Sequence, residues 1–457
     1  MYMKKKILLF TIVLCFLSAA YWDNDDGRKW KIIQLTSTRF GGYNNPQVTE
    51  DGRTVFYIST ADPHGDNSDR SPEIFKWSRE EMTQLTREKN CLIRDLVLAP
   101  DNERLAFSSN CVFDDENTSL GTEIFVRDKQ GEVSAITNGR GYASRRPAWS
   151  PDGRYLVFES RSDLEQGKNR DDSREIFLAD LGDSPVTIRQ ISDTIPPGGC
   201  ERPSVTGSSI ICRCNDDLPG TDKPEGMTDL PMTREGRTVG GNPDRNWEIF
   251  KFYFSGEPSQ LTYTQACENF PPAVSPEGRK AAFISTCNFK EEKERSGSTN
   301  YELYFLAPEI IRPFPGFRVT LNAMSWSGDG NALALSSPLK TDDANPQKNL
   351  EIFRIKMPDD FPKNADAFEG KSPQKYFTAV TDFNYGASDL PDLNGDGKVV
   401  VFVSTANYDD NNQDGSREVF MAVESDKFAE PENTLTAPDF PEDVNEGNGA
   451  TVEPETQ

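Results

Sequence analysis

Acidic and amide side chains are the residues of this chain whose spacing could do chemistry, and the chemistry they suggest is cation binding. Asp410-Asn411-Asn412-Gln413-Asp414-Gly415 and Asp392-Leu393-Asn394-Gly395-Asp396-Gly397 both read Asp-x-Asn-x-Asp-Gly. Oxygens two residues apart, followed by a glycine that permits a sharp turn, can wrap one hard cation such as calcium. Asp410, Asn412 and Asp414 are therefore the candidate calcium ligands. The run from Asp392 coincides with a turn that recurs elsewhere with a single carboxylate, and an ordinary β-turn is expected there. Nucleophilic and zinc chemistry have little to work with. His64 is the one histidine, which removes most zinc sites and any Ser-His-Asp arrangement. No Gly-x-Ser-x-Gly elbow occurs, and no catalytic or cofactor-binding residue is expected.

A glutamate followed by an aliphatic and an aromatic residue occurs seven times, at Glu73, Glu123, Glu175, Glu248, Glu302, Glu351 and Glu418. A reaction needs one asymmetric constellation, not seven equal carboxylates, so these are expected to accept local hydrogen bonds where a third strand begins. Upstream of six copies lies an acidic-Gly or acidic-Asn turn, at Asp51, Asp101, Asp152, Glu277, Asp329 and Asp396. Six residues after each comes Tyr57, Phe107, Phe158, Phe283, Leu335 or Phe402. A tandem array at such a period specifies a repeat fold.

Within one repeat, short β-branched and aromatic runs alternate with turn residues, which reads as four strands and hence a propeller blade. Closing segments fall at 32–36, 82–86, 133–137, 188–192, 259–262, 317–320 and 377–381. The first precedes the first repeat, and the seventh repeat lacks one of its own. Residues 32–36 are expected to complete the last blade and leave no open edge. The fold class is all-β, a seven-bladed propeller of four-stranded blades over 30–423.

Trp149-Ser150-Pro151-Asp152-Gly153-Arg154-Tyr155-Leu156-Val157-Phe158, with Ser275-Pro276-Glu277-Gly278 and Trp326-Ser327-Gly328-Asp329-Gly330, resembles the WD40-like propeller repeat of TolB-type proteins. The resemblance implies the propeller fold. Such propellers serve as envelope scaffolds, peptidase accessory domains and lyases, so it does not select among functions. Seven blades are counted here where TolB has six, and no α/β domain is read ahead of the ring.

Residues 1–20 read as a secretory signal: Lys4-Lys5-Lys6, an apolar stretch from Ile7 to Leu17, and small residues at Ser18 and Ala20. The apolar core is short for a bilayer span, and no membrane insertion is expected after cleavage. Residues 21–29 are a short lead. The mature chain is expected in the periplasm or secreted. Losing three lysines takes the formal charge from −24 to −27, which disfavours nucleic acid and favours cationic ligands or an envelope or secreted protein.

Seven cysteines follow the signal. Cys111, Cys214 and Cys287 lie four residues beyond Phe107, Ile210 and Phe283, and Cys91, Cys200 and Cys267 precede the first strands of the same repeats. Those positions neighbour one another in a blade, so Cys91–Cys111, Cys200–Cys214 and Cys267–Cys287 are the expected disulfides. Cys212 is left over. It is expected in the register of Ser59, Ser109, Ser160, Ser285, Ser337 and Ser404, as a buried inert thiol.

The loops between second and third strands carry Asn67, Asn117, Asn169, Asn242, Asn345 and Asn412 ahead of the Glu marker, a pattern expected to form Asx-type turns. His64 belongs to one of them as a loop-tip residue. The long Gly, Pro and Asp-rich insertion of blade four, 215–247, is expected to be the leading contact element. A smaller irregularity, 358–375, should emerge on the opposite face. Residues 424–457 hold ten acidic residues and four prolines and are expected to be a disordered acidic tail. Together these features describe an exported, non-catalytic binding scaffold with calcium-stabilised loops. The competing class is a propeller lyase or hydrolase using channel-mouth carboxylates.

Overall fold

The computed structural model describes residues 21–23, 29–38, 41–79, 81–113, 121–139, 141–218, 242, 244–255, 257–264, 267–287, 289, 301–307, 310–318, 324–340, 344–361, 376–408 and 410–424. The signal, Asn117, most of the 215–247 insertion, 362–375 and the tail beyond Glu424 lie outside them. Two strands, β1 (Tyr21–Asp23) and β2 (Lys29–Gln34), precede the repeats. Blade one is β3 (Tyr43–Val48), β4 (Thr54–Ser59), β5 (Glu73–Ser78) and β6 (Glu81–Gln84). Blade two is β7 (Ile93–Leu98), β8 (Leu105–Ser109), β9 (Glu123–Arg127) and β10 (Val133–Ala135). Blade three is β11 (Ser144–Trp149), β12 (Tyr155–Ser160), β13 (Glu175–Asp180) and β14 (Thr187–Gln190). Blade four is β15 (Cys200–Val205), β16 (Ser209–Cys214), β17 (Glu248–Tyr253) and β18 (Ser259–Gln260). Blade five is β19 (Ala273–Val274), β20 (Ala281–Ser285), β21 (Glu302–Ala307) and β22 (Ile310–Arg318). Blade six is β23 (Met324–Trp326), β24 (Ala332–Ser337), β25 (Glu351–Lys356) and β26 (Phe377–Ala379). Blade seven supplies β27 (Ser388–Leu393), β28 (Val399–Ser404) and β29 (Glu418–Glu424).

Each sheet is antiparallel, and the last runs β1-β2-β29-β28-β27. The first strands touch in succession from β3 round to β27 and back to β3. The expected seven-bladed ring therefore closes, and it closes through the expected strand: Trp30 to Gln34 pair with Glu424 to Phe420. Two strands depart from expectation. Part of the lead, β1, adds a fifth strand outside β2, with Tyr21 opposite Lys31. Blade five's last strand begins at Ile310, opposite Ala307, well before the expected 317. A Leu-Thr ending marks where such a strand stops, not where its pairing starts. Among the described residues no helix is long and apolar enough to cross a membrane.

The second and third strands are buried on both faces because blades stack face to face, which explains their nearly continuous apolar runs. The two sequence markers meet there. Tyr57, Phe107, Phe158, Phe283 and Phe402 lie directly across from Phe75, Phe125, Phe177, Tyr304 and Phe420. Their rings stack with centroids 5.7–6.0 Å apart, each pair worth about 1 kcal/mol beyond the area it buries.

The acidic-Gly turn serves two purposes. Ser150 donates its hydroxyl to Asp152 and accepts the Tyr155 N–H, which closes the hairpin locally. Gly153 has φ 66°, where a β-carbon is disfavoured. Its carbonyl also accepts Arg104 of the preceding blade at 2.9 Å, and a β-carbon there would lie 2.6 Å from that guanidinium. Lys280 to Gly330 and Arg354 to Gly397 repeat the contact at 2.6 and 3.0 Å.

Blade four corrects the placement of Cys212. Its first hairpin has four turn residues, 206–209, where blade three has six, 150–155. The strand after this shorter turn is offset by two from the template. Cys214, not Cys212, stands in the recurring serine register, opposite both Cys200 and Glu248. Cys212 sits opposite Phe250, in the core aromatic's place, and is fully buried. Burial and three nearby glutamates push its thiol pKa well up. It is an inert core residue, as expected, in a different register. All three expected disulfides are present: Cys91–Cys111, Cys200–Cys214 and Cys267–Cys287.

The recurring glutamates form a clamp between third and fourth strands. Thr86, Thr137, Ser192, Thr262, Thr381 and Thr36 each donate a hydroxyl to Glu73, Glu123, Glu175, Glu248, Glu351 and Glu418 respectively. The same hydroxyl accepts the backbone N–H following the glutamate. In five blades the other carboxylate oxygen takes a backbone N–H, from Thr38, Gly139, Thr194, Thr264 or Phe383. The Leu-Thr ending is thereby explained: its hydroxyl is the clamp's other jaw.

Burial pushes Glu73, Glu248, Glu351 and Glu418 up to about 7, against an ordinary 4.5. The folded state then holds more protons than the unfolded state between about pH 4.5 and 7, so stability falls as pH rises through that window. Asp69, Asp101, Asp152 and Asp163 are shifted down instead and act only below about pH 4. Calorimetry should find the Tm higher at pH 5 than at pH 8, with Glu351→Gln flattening the slope. A Tm that rises from pH 5 to 8 would refute this account.

Candidate functional site

The channel is walled by the first strands, and a recurrent defect in them builds its mouth. Pairing of first to second strand slips by one residue in blades one, two, three, four and seven. At the slip, Asn45, Asp95, Arg146, Arg202 and Leu390 take left-handed backbone conformations, with φ between 48° and 53°. Each such residue costs about 1–2 kcal/mol for a side chain with a β-carbon. Four are followed by Pro46, Pro147, Pro203 or Pro391, which has no N–H to leave unpaired where the ladder is broken. Strain retained at one level of the ring in five blades marks a site where side chains are being aimed.

The aimed residues differ from blade to blade, and the charge gathers on one side. Arg145 pairs across strands with Glu159, and Glu201 with Arg213. Both pairs lie one residue from the ends where the loops between second and third strands leave. Glu201 is buried and takes Arg213 in a fork, Nε at 2.9 Å and Nη2 at 2.5 Å, while its other oxygen pairs with Arg174. Arg213 stacks 4.4 Å over Trp247. Glu159 pairs with Arg146 and accepts the Arg202 N–H at 2.8 Å. Asp95 accepts Ser108 at 2.7 Å, with Arg145 Nε at 3.8 Å. Burial holds Glu159 above the usual carboxylate range. Burial also pushes on Glu201, but Arg213, Arg174 and Arg146 outweigh it and keep that carboxyl low.

Five guanidiniums thus face three carboxylates. Every carboxylate is engaged; not every guanidinium is. Arg202 makes no ion pair or side-chain hydrogen bond with any described residue, and its side chain is exposed. Arg202 lies on β15, the innermost strand of its blade, near the end where these loops leave. Arg145 Nε is buried without a hydrogen-bond partner.

Sequence reasoning missed this cluster, although a signal existed. Pro46, Pro147 and Pro391 each stand five residues before the turn's acidic residue, and the residue preceding each is the one the bulge presents. The residues singled out from sequence lie elsewhere. His64 is exposed, with Nε2 3.2 Å from the Met82 carbonyl. Asn412 is buried, and its amide spans its loop: Nδ2 donates to the Ala406 and Ser416 carbonyls, and Oδ1 accepts Ser416 Oγ. Asn67, Asn169, Asn242 and Asn345 make the same two-carbonyl strut. Asp414 accepts the Ser416 N–H, and Asp410 accepts Asn407 at 3.3 Å. Of the 215–247 insertion the described stems are anchored, with Asp216 buried and accepting the Ile195 N–H.

Removing one member of the buried Glu201 fork strands its partner. Glu201→Gln is expected to lower unfolding free energy by about 3 kcal/mol, while adding Arg213→Gln costs less than the two single changes together. Additive losses in chemical denaturation would show that the two side chains are not coupled.

No family model and no curated protein matches the sequence. Among solved structures, TolB from Acinetobacter baumannii aligns at 14% identity over 75% of this chain and 67% of that one, TM-score 0.42. An oligogalacturonate lyase in complex with manganese aligns at 12% identity over 89% and 96%, TM-score 0.49. A prolyl endopeptidase aligns at 12% identity over 88% of this chain but only 51% of its own, TM-score 0.48. The activities in those names belong to those proteins. By its own seven sheets and the repeat that writes them, this chain is a seven-bladed β-propeller.

Proposed function

We propose that the chain is an exported, non-catalytic propeller that binds an envelope or secreted protein, or a smaller ligand, at the channel mouth on the face of the loops between second and third strands. One observation carries this reading: each carboxylate at the mouth is committed to a guanidinium or a backbone N–H, so the site presents cationic donors and no free general base. Three disulfides support an oxidising compartment outside the cytoplasm. The 215–247 insertion belongs to the same face and remains the proposed second contact element. Asp410, Asn412 and Asp414 remain the proposed calcium ligands of this face, in a loop that also has its own hydrogen bonds, and calcium binding there should raise the Tm.

Glu159 supports a second reading. It is a buried carboxyl held above its usual range at the channel mouth, where a propeller lyase or hydrolase would place an acid.

A crosslinked pull-down from the native envelope separates the two. Wild type and Lys129→Glu, which alters an exposed turn on the opposite face, should recover the same partner, and Arg202→Glu should lose it. Equal recovery by all three would refute the placement. Turnover of a polyuronate or peptide by wild type, abolished in Glu159→Gln, would establish the enzyme.

A further inference from the structure

The geometry points to a carboxylate as the group that this mouth binds, with Arg202 as its primary anchor and Arg146 and Arg213 nearby; this deepens the binding reading above. The cluster already holds two carboxylates, Glu159 and Glu201, each gripped by guanidinium groups. Arg is the residue suited to this because its planar fork matches a carboxylate through two parallel N–H donors. One fork is left over. Arg202 is exposed and lacks an ion pair or side-chain hydrogen bond among the described residues, while its own backbone N–H is fixed on Glu159.

Electrostatics favour filling that vacancy. Two guanidiniums, Arg146 and Arg213, and two carboxylates, Glu201 and Glu159, act on the charge of Arg202. With five guanidiniums against three carboxylates in the cluster, a net positive charge is left for an anion to meet. The left-handed backbone at Arg146 and Arg202, φ 53° and 52°, is the ring's recurrent bulge, which in these two blades presents arginine. The disulfide Cys200–Cys214 lies one residue pair from Glu201 and Arg213, so the strands carrying the site are covalently fixed before any ligand arrives.

Overall charge selects the size of the anion. A chain at −24 repels extended polyanions, whereas the field around a group in contact with Arg202 is local, because exposed charges farther than about 8 Å are screened at physiological salt. A compact carboxylate group fits, whether one on a neutral body or several on an acid as small as citrate. It can belong to a small organic acid or to a polypeptide's C-terminus, since both present the same planar group.

The test is a thermal shift of the mature protein at constant ionic strength, with citrate and inorganic phosphate as probes. Citrate should raise the Tm of wild type in a saturable way. Arg202→Gln should abolish the shift, and Arg202→Lys should keep a weaker one, because a point charge cannot fork. Without ligand, Arg202→Gln should still unfold cooperatively near the wild-type Tm, since it removes no ion pair or side-chain hydrogen bond among the described residues. That readout separates loss of a site from loss of folding. A free-acid peptide that displaces citrate where its C-terminally amidated twin does not assigns the source to a chain end; displacement by neither assigns it to a small acid. No citrate shift in wild type, an equal shift with phosphate, or a shift surviving in Arg202→Gln would overturn the assignment. None of these results uses the envelope partner, so the scaffold reading stands or falls on its own pull-down.

Discussion

A stack of blades becomes a ring only when its first and last elements meet, and every feature of the channel depends on that meeting. Five residues, Trp30 to Gln34, pair with the last repeat's third strand, and the clamp at their end joins Thr36 to Glu418. Side chains reinforce the seam. Asp392 of blade seven accepts the Val48 N–H of blade one at 2.8 Å and the Ser325 hydroxyl of blade six at 2.7 Å. Arg354 and Glu424 form a buried two-bond pair, with Arg354 stacked 4.7 Å over Trp30. The strand pairing, the Thr36–Glu418 clamp and the Val48–Asp392 bond span most of the chain, so closing the ring carries the largest loop-closure entropy of the fold. Without closure the first strands have no common axis, and residues aimed inward by their bulges would face bulk water.

The clamps show how a repeat tolerates buried carboxylates. Each glutamate is placed where a hydroxyl and, in most blades, a backbone N–H would otherwise end unpaired at a strand terminus. The cost of desolvation appears in the raised pKa values; the return is a defined start for the third strand and a defined end for the fourth. Because the unit is local, it repeats without reference to what the neighbouring blade does. The channel mouth follows the opposite rule. Its bulge is repeated, but the side chain at the bulge is Asn, Asp, Arg, Arg or Leu. Repetition supplies the frame and variation supplies the site.

Much of the frame was legible because each signal had one local cause. The acidic-Gly turn needs a left-handed residue, the aromatic six residues on stacks across from the aromatic of the Glu marker, and the Leu-Thr ending closes the clamp. The disulfide pairs were legible because the same blade geometry places two strand ends together. Misreadings arose where length changed: blade four's turn is two residues shorter, which moved Cys212 from a serine's register to an aromatic's. The cluster of Arg146, Glu159, Arg174, Glu201, Arg202 and Arg213 was not legible from periodicity at all. Its members come from different strands of blades three and four and from a loop, and only the packing of one blade on the next brings them together. The Asx loops were read correctly as turns, because an asparagine bridging two carbonyls needs only its own loop.

Crosslink and bulge coincide in two blades, two and four. Disulfides tie first to second strands in blades two, four and five, at the same end as the bulges. Blade four bears the most: its hairpin carries Glu201, Arg202 and Arg213, and a long insertion leaves from its second strand. A hairpin loaded with a left-handed arginine, a buried ion cluster and a shortened turn has less regular pairing to hold it in register. Cys200 and Cys214 occupy the pair immediately outside that cluster, in the position where blades three and seven use two serines in hydrogen bond, Ser144 with Ser160 and Ser388 with Ser404. A covalent bond stands where a hydroxyl pair suffices elsewhere, which fixes the guanidinium side chains of the mouth relative to the ring. A site that relies on several arginines gains from this, since long charged side chains lose rotamer freedom on binding, and a fixed backbone limits how much more must be lost.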